Sequence, residues 1–230
     1  MQSYVNEAFL AKRSKYAKWG MYVGFGALFI GLMVTNRSPL VAYLFLLVGL
    51  IGATFGSYMS NRYVREPRAD QLLDDALAPL DKRFSAYHYS LASNHLLLSH
   101  YGLMVIEPQH QEGRILYADG RWQHKAGWRK ALQLFGEPSL GKPDQELEKD
   151  IEWVAGWIKE VLPDEEIPVG GVIVFTNERA TLEVSGDHPA MVLAGDLARH
   201  LKEDLKGQPT MPTARLKELR RLLDEVAQQS

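Results

Sequence analysis

Polar and apolar positions divide this chain into two unlike stretches. No residue from Trp19 to Val34 is charged, and none from Pro39 to Ser60. Neither run shows the polar stripe of a half-exposed soluble helix, and an all-round apolar surface is what lipid requires. At about 1.5 Å per residue the second run reaches roughly 30 Å, enough to cross a hydrocarbon core. The first is shorter; Lys18 snorkelling at one end, with Thr35 and Asn36 at the other, lengthens it. Only Thr35-Asn36-Arg37-Ser38 joins the runs, which leaves room for a reversal and nothing more. The pattern predicts two antiparallel transmembrane helices. A signal peptide would carry a small-residue cleavage site and a polar segment after the first run. A second apolar run stands there instead.

Basic residues at the ends of the runs set the expected orientation. Lys12, Arg13, Lys15 and Lys18 precede the first run, Arg62, Arg65 and Arg68 follow the second, and the turn holds only Arg37. The positive-inside rule then puts both termini in the cytoplasm of a multi-pass cell-membrane protein. Gly20-xxx-Gly24 and Gly52-xxx-Gly56 set small residues one helical turn apart. That spacing suits close helix approach, within the hairpin first and in a homo-oligomer second.

Past Glu66-Pro67-Arg68 the pattern becomes that of a globular domain. Leu72, Leu73, Ala76, Leu77 and Leu80 recur on one side of a helix over 69–80. Strands are expected over 84–91, 95–99 and 102–107, with a turn at His100-Tyr101. Arg114–Tyr117 and Arg121–His124 flank Asp119-Gly120, a hairpin signal. A helix over 144–162 has Leu147, Ile151, Val154, Ala155 and Ile158 as its stripe. The run Val169–Phe175 is apolar throughout, as in a strand buried on both faces, and 180–184 alternates like an edge strand. Helices over 189–205 and 213–227 close the chain. The expected fold class is α/β: a transmembrane hairpin followed by a mixed sheet with helices on it. The organisation read from this is a basic cytoplasmic segment over 1–18, the hairpin over 19–60 and a linker over 61–68. An α/β domain over 69–206 and an amphipathic helix over 207–230 complete it.

Composition narrows the chemistry. The 230 residues hold 26 basic and 28 acidic side chains, a net charge of −2, seven His and no Cys. Near-neutrality argues against a strongly basic nucleic-acid binder, and the missing thiols exclude disulfides, thiolate zinc sites and a Cys nucleophile.

One segment carries chemistry: Asn94-His95, then Gly102-Leu-Met-Val-Ile-Glu107-Pro108-Gln109, then Gly113-Arg114-Ile115 and Trp122. It resembles the nuclease-related domain (NERD) family of the PD-(D/E)xK nuclease-like superfamily over residues 69–205. The resemblance implies a restriction-endonuclease-like fold in which an Asp on one strand and a Glu-x-Lys on the next hold Mg²⁺ and activate water. Residues two apart on a strand share a face, so that Glu and Lys enter one pocket. Here Glu107 stands at the acid position, Asn94 at the Asp position and Gln109 at the Lys position. One acid is left to hold a metal, and no cation faces the phosphate. The resemblance therefore implies the fold without the hydrolysis, and no cofactor unless Mg²⁺ at Glu107 serves an active form. Pro108 suggests a distorted strand end or edge.

Three further groups bear on that reading. Asp70 stands where the family often carries a helix-borne Glu, so that it, or Asp74 and Asp75 one turn on, could supply a relocated carboxylate; the competing reading is a set of solvated acids favoured by the helix dipole. His95, His100 and His110 surround the motif without a compact ligand spacing. Arg114, Arg121 and Lys125, with Arg129, Lys130, Trp122 and Trp128, could make a nucleic-acid patch or a solvated hairpin face. The expectation is a membrane-anchored, catalytically degenerate domain acting as a binding or scaffold module. The alternatives are a metal-dependent nuclease on DNA or RNA, and a structural membrane protein recruiting partners through its last helix.

Overall fold

The computed structural model describes residues 1–91, 93–125 and 140–229. These fall into two compact units: one holds residues 1–6 and the chain from Ala69 onward, the other residues 7–68.

The second unit is a helical hairpin. α1 (Glu7–Val34) and α2 (Pro39–Tyr63) are both long and apolar enough to cross a membrane. Small residues let the two backbones touch: α1 buries Ala17, Gly24, Ala27 and Gly31, and α2 buries Ala42, Gly49 and Gly56. A Cβ on Gly24 would lie 2.2 Å from the Ala53 nitrogen, so glycine is required there. Both Gly-xxx-Gly pairs are thus spent inside the hairpin, since Gly20 meets Gly56 and Gly52 meets Gly24. Large apolar side chains point outward instead; Tyr22 is 71 % exposed and Leu32 68 %.

The first unit is a mixed α/β domain. Its strands are β1 (Gln2–Val5), β2 (Ser85–His88), β3 (His95–Ser99), β4 (Gly102–Gln109), β5 (Gly113–Ala118), β6 (Arg121–Lys125), β7 (Val169–Phe175), β8 (Ala180–Ser185) and β9 (Met191–Leu193). Its helices are α3 (Ala69–Leu77), α4 (Pro143–Val161), α5 (Leu197–Asp204) and α6 (Thr213–Gln229). A six-stranded sheet runs β1-β2-β3-β4-β7-β9, and a three-stranded one runs β6-β5-β8. The β2-β3-β4 meander is antiparallel, while β1, β7 and β9 join in parallel.

Strand alternation gives the large sheet two apolar faces. On one, Ala86, Leu97, Ile106, Val172 and Val174 pack with Leu73 and Leu77 of α3 and Leu197 and Leu201 of α5. On the other, Tyr87, Leu96, Val105, Ile173 and Phe175 pack with Leu147, Val154 and Ile158 of α4 and Leu219 and Leu223 of α6. Pro143 opens α4 and Asp144 and Glu146 stand in its first turn, where the missing donor costs nothing and the dipole favours acids.

Three expectations are corrected. The segment over 1–18 is not merely a basic lead-in: Gln2–Val5 forms the edge strand of a sheet whose next strand lies 80 residues on. The helix expected over 189–205 begins as strand β9, continues through a 3-10 turn (Ala194–Asp196) and becomes helical only at Leu197. β9 pairs with β7, and the Ile173 N–H donates to Ala190 O at 2.9 Å, so an open sheet edge overrides the helical periodicity. The last helix is no separate element, because Leu219 and Leu223 complete the core. Pro108 stands at the expected strand end, one residue before β4 stops, and is still in register with Val174 of β7. The β3 ladder stops at Val105, so the proline falls beyond it and costs no bond on that side.

Candidate functional site

The motif strand β4 is fixed by its neighbours. Gly102 opens it at φ 145°, where a Cβ would lie 2.3 Å from Pro168 O; only glycine fits that turn. Glu107 lies level with Ile173 and Gln109 with Phe175 in the parallel β4–β7 ladder. Both therefore face the α4–α6 side. They meet directly: Gln109 Nε2 donates to Glu107 Oε1 at 3.0 Å. Glu107 is 4 % exposed and Gln109 8 %, so the carboxylate sits in the interior against a neutral amide.

Asn94 stands just before β3. Continuing the β3–β4 register beyond Leu96 and Val105 brings it opposite Glu107, as the resemblance implies. Its carbonyl accepts the Tyr89 N–H at 2.6 Å, so it helps close the β2–β3 turn. Mg²⁺ does not fit this donor set. A small, tightly hydrated cation takes carboxylates with room for water, whereas here a single buried carboxylate accepts an amide N–H and the neighbouring motif groups are neutral amides. Among the described residues, no group of three or more His, Asp or Glu converges to hold a metal.

Asp70 is buried at the start of α3, and Tyr89 Oη donates to its Oδ1 at 3.4 Å. The helix that bears it packs on the sheet face opposite Glu107. Asp74, one turn on, belongs to a polar chain that the sequence did not reveal. Ser3 Oγ of β1 donates to Asp74 Oδ2 at 2.8 Å, Asp74 Oδ1 lies 3.1 Å from His88 Nε2, and His88 Nδ1 lies 2.8 Å from His95 Nδ1. His88 and His95 are an in-register pair across β2 and β3, 1 % and 2 % exposed. The Tyr89 ring packs edge-on against His95 at 4.9 Å. A contact between two ring nitrogens at this distance needs one proton between them, donated by either ring. Asp74 fixes the far nitrogen of His88. Burial alone would raise the Asp74 carboxyl. The hydrogen bond and attraction of His88, with the Ser3 hydroxyl, outweigh it and hold the group below its usual value.

The sequence singled out His95, His100 and His110, and only His95 belongs to this chain of contacts. His100 packs edge-on to Phe84, and His110 Nδ1 bonds Thr176 Oγ1 at 3.0 Å. His88 escaped notice because a lone His in an aromatic-rich strand reads as core. The usable signal was symmetry, since residues 88 and 95 lie equally far from the centre of the β2–β3 turn.

Arg114, Arg121 and Lys125 share the outer face of the small sheet, Arg114 directly opposite Lys125. Arg114 donates through Nε and Nη2 to both carboxylate oxygens of Glu183 on β8, so its charge is matched. Arg121 and Lys125 are exposed on the outer face of β6. Trp122 turns inward, donates to Asp144 at 2.9 Å and packs against Tyr117 and Phe175, and so presents no open ring to a base. Trp128, Arg129 and Lys130 lie outside the described residues. Comparison of the chain with protein-family models, with curated proteins and with solved structures finds no match.

Proposed function

We propose that this chain is a membrane-anchored protein whose α/β domain has a PD-(D/E)xK-like, NERD-related architecture and works by binding or scaffolding rather than by hydrolysis. The observation that carries this is the Gln109–Glu107 hydrogen bond. A neutral amide occupies the place where a lysine would supply positive charge to a transition state. The order α3-β2-β3-β4-α4-β7, with β4 parallel to β7, supports the architecture. The two long apolar helices support the anchor. The β1–β2 pairing supports a hairpin whose two ends leave the bilayer on one side, and the basic flanks support the cytoplasmic side.

The test uses the full-length protein in mild detergent with plasmid and single-stranded DNA or RNA, in Mg²⁺ or Mn²⁺. Wild type and Glu107→Ala are expected to leave the nucleic acids equally intact. Cleavage by wild type that disappears in Glu107→Ala overturns the non-hydrolytic reading and restores the metal-dependent nuclease. The partner-recruiting last helix loses ground, because α6 spends its apolar stripe on its own core.

A further inference from the structure

The hairpin carries nearly all of its charge at one end and in one sign. Residues 8–65 include no Asp or Glu, and every cation among them except Arg37 lies at the same end: Lys12, Arg13, Lys15 and Lys18 on α1, Arg62 and Arg65 at the end of α2. The antiparallel packing makes those two stretches level, with Phe9 and Tyr63 in edge contact at 5.7 Å. Arg13 is held between them, its guanidinium 4.8 Å from the Phe9 ring centre and 5.7 Å from that of Tyr63. Lys12, Lys15 and Lys18 are exposed. At 100° per residue, Lys12 lies opposite the Leu10–Ala17 stripe that faces α2. The three lysines thus stand off the seam, while Arg13 bridges it. Tyr16 and Trp19, 47 % and 59 % exposed, stand among them.

Axially the collar is shallow. Six residues separate Lys18 from Lys12, about 9 Å along the helix and within roughly one Debye length at physiological salt. Each of these charges would feel an anionic surface at the Trp19 boundary. Two acids flank the collar: Glu7, five residues before Lys12 and about 8 Å from it along the helix, and Glu66, next to Arg65. The other end of the hairpin offers Arg37 alone.

We propose that this collar recognises the phosphate headgroups of anionic phospholipids in the leaflet that borders it, the lysines and arginines pairing with phosphate while Tyr16 and Trp19 sit at the interface. The inference rests on the reading of α1 and α2 as membrane spans. A basic side chain near an anionic surface favours it by about fivefold at low salt, so a cluster of them with no acid interspersed gives a clear preference over zwitterionic lipid.

The full chain is reconstituted in mixed phosphatidylcholine–phosphatidylglycerol bilayers, and the motionally restricted fraction of each spin-labelled lipid is measured. The expected result is a several-fold preference for phosphatidylglycerol that shrinks in high salt and is clearly reduced in Lys12→Gln/Lys15→Gln/Lys18→Gln. Equal restriction of both lipids by the wild type, or an unchanged preference in the triple variant, overturns the proposal. Displacement of phosphatidylglycerol by inorganic phosphate overturns the commitment to lipid. Restricted phosphatidylcholine by itself reports insertion. Its absence would show that the span reading had failed and had taken the collar with it, a result distinct from an inserted hairpin without lipid preference.

Discussion

His88 Nδ1 and His95 Nδ1 lie 2.8 Å apart in the interior of the α/β domain, paired in register across adjacent strands. One of the two rings must donate, and each depends on the other for its buried nitrogen. His95→Leu removes that partner from His88 and is expected to lower stability by about 1–3 kcal/mol, the usual cost of stranding a buried polar group. Replacing both with Leu leaves no such ring nitrogen. The double variant is expected to lose less than the sum of the singles, by about 0.5–3 kcal/mol. Urea unfolding of the full chain in mild detergent measures the cycle, and strict additivity would show the two rings to be energetically independent.

The Asp74 carboxyl, held low in the fold, gives the array a pH signature. Burial opposes the shift; the His88 bond and attraction, with Ser3, overcome it. Because the folded state ionises this group more readily than the unfolded one, the unfolded state binds more protons in the acid range. The stabilisation is present above the usual carboxylate range and is lost as pH falls through and below it. Asp74→Asn is expected to be less stable at neutral pH and to flatten the acid limb of a stability–pH curve. Parallel acid limbs for variant and wild type would contradict the assignment.

Tyr87 ties the N-terminal strand to the C-terminal helix. Its ring stacks on Tyr4 at 5.0 Å, and its hydroxyl donates to Asp224 of α6 at 2.6 Å. Burial first, then the Asp224 carboxylate, pushes the phenol well above its ordinary range. An acid that the fold keeps protonated contributes fully below the unfolded value and is lost as pH rises past it, so this contact weakens in strong alkali. Tyr87→Phe is expected to cost about 1–2 kcal/mol, low for a bond to a charged group because Asp224 keeps some access to water. It should also remove a late-titrating phenol from the alkaline ultraviolet difference spectrum.

Much of this was legible in the order of residues, and the rest failed for identifiable reasons. The hairpin helices, β3, β7 and the Asp119-Gly120 turn follow from runs and spacings that no tertiary contact has to correct. Gln2–Val5 is too short and too mixed to show a period; it is a strand because β2 offers it an edge. Glu107, Asn94 and Gln109 were found by motif. That Asp70 belongs to the helix on the opposite face depends on which residues of β4 point which way, and that is set by pairing with β7. The His88–His95 contact depends on register across a turn, which periodicity along a single strand does not report.

Hairpin packing gives a discriminating pair of substitutions. A side chain at Gly24 meets the α2 backbone at Ala53, whereas one at Gly26 meets nothing within 4 Å. Gly24→Leu is expected to force the helices apart, at more than the roughly 1–3 kcal/mol of ordinary overpacking, because backbone cannot yield as a side chain does. Gly26→Leu should leave packing intact. Thermal unfolding of both variants in the same detergent separates the cases, and equal losses would place the helix–helix seam elsewhere.

Connectivity makes a final prediction about the membrane. β1 ends at Val5, α1 begins at Glu7, and the chain returns through α2 and α3 to β2, the strand that pairs with β1. If that pairing holds, an even number of crossings separates the two strands, and both flanks of the hairpin share a compartment whichever way it inserts. The basic flanks then select the cytoplasm. With no native cysteine, single substitutions give unambiguous labelling. An impermeant maleimide applied to intact cells is expected to modify Ser38→Cys at the turn, and to reach Gln2→Cys and Gln228→Cys only after permeabilisation. Labelling of Gln2→Cys from outside while Gln228→Cys stays protected would break the β1–β2 pairing. Reversal at all three positions would keep the pairing and overturn the orientation alone.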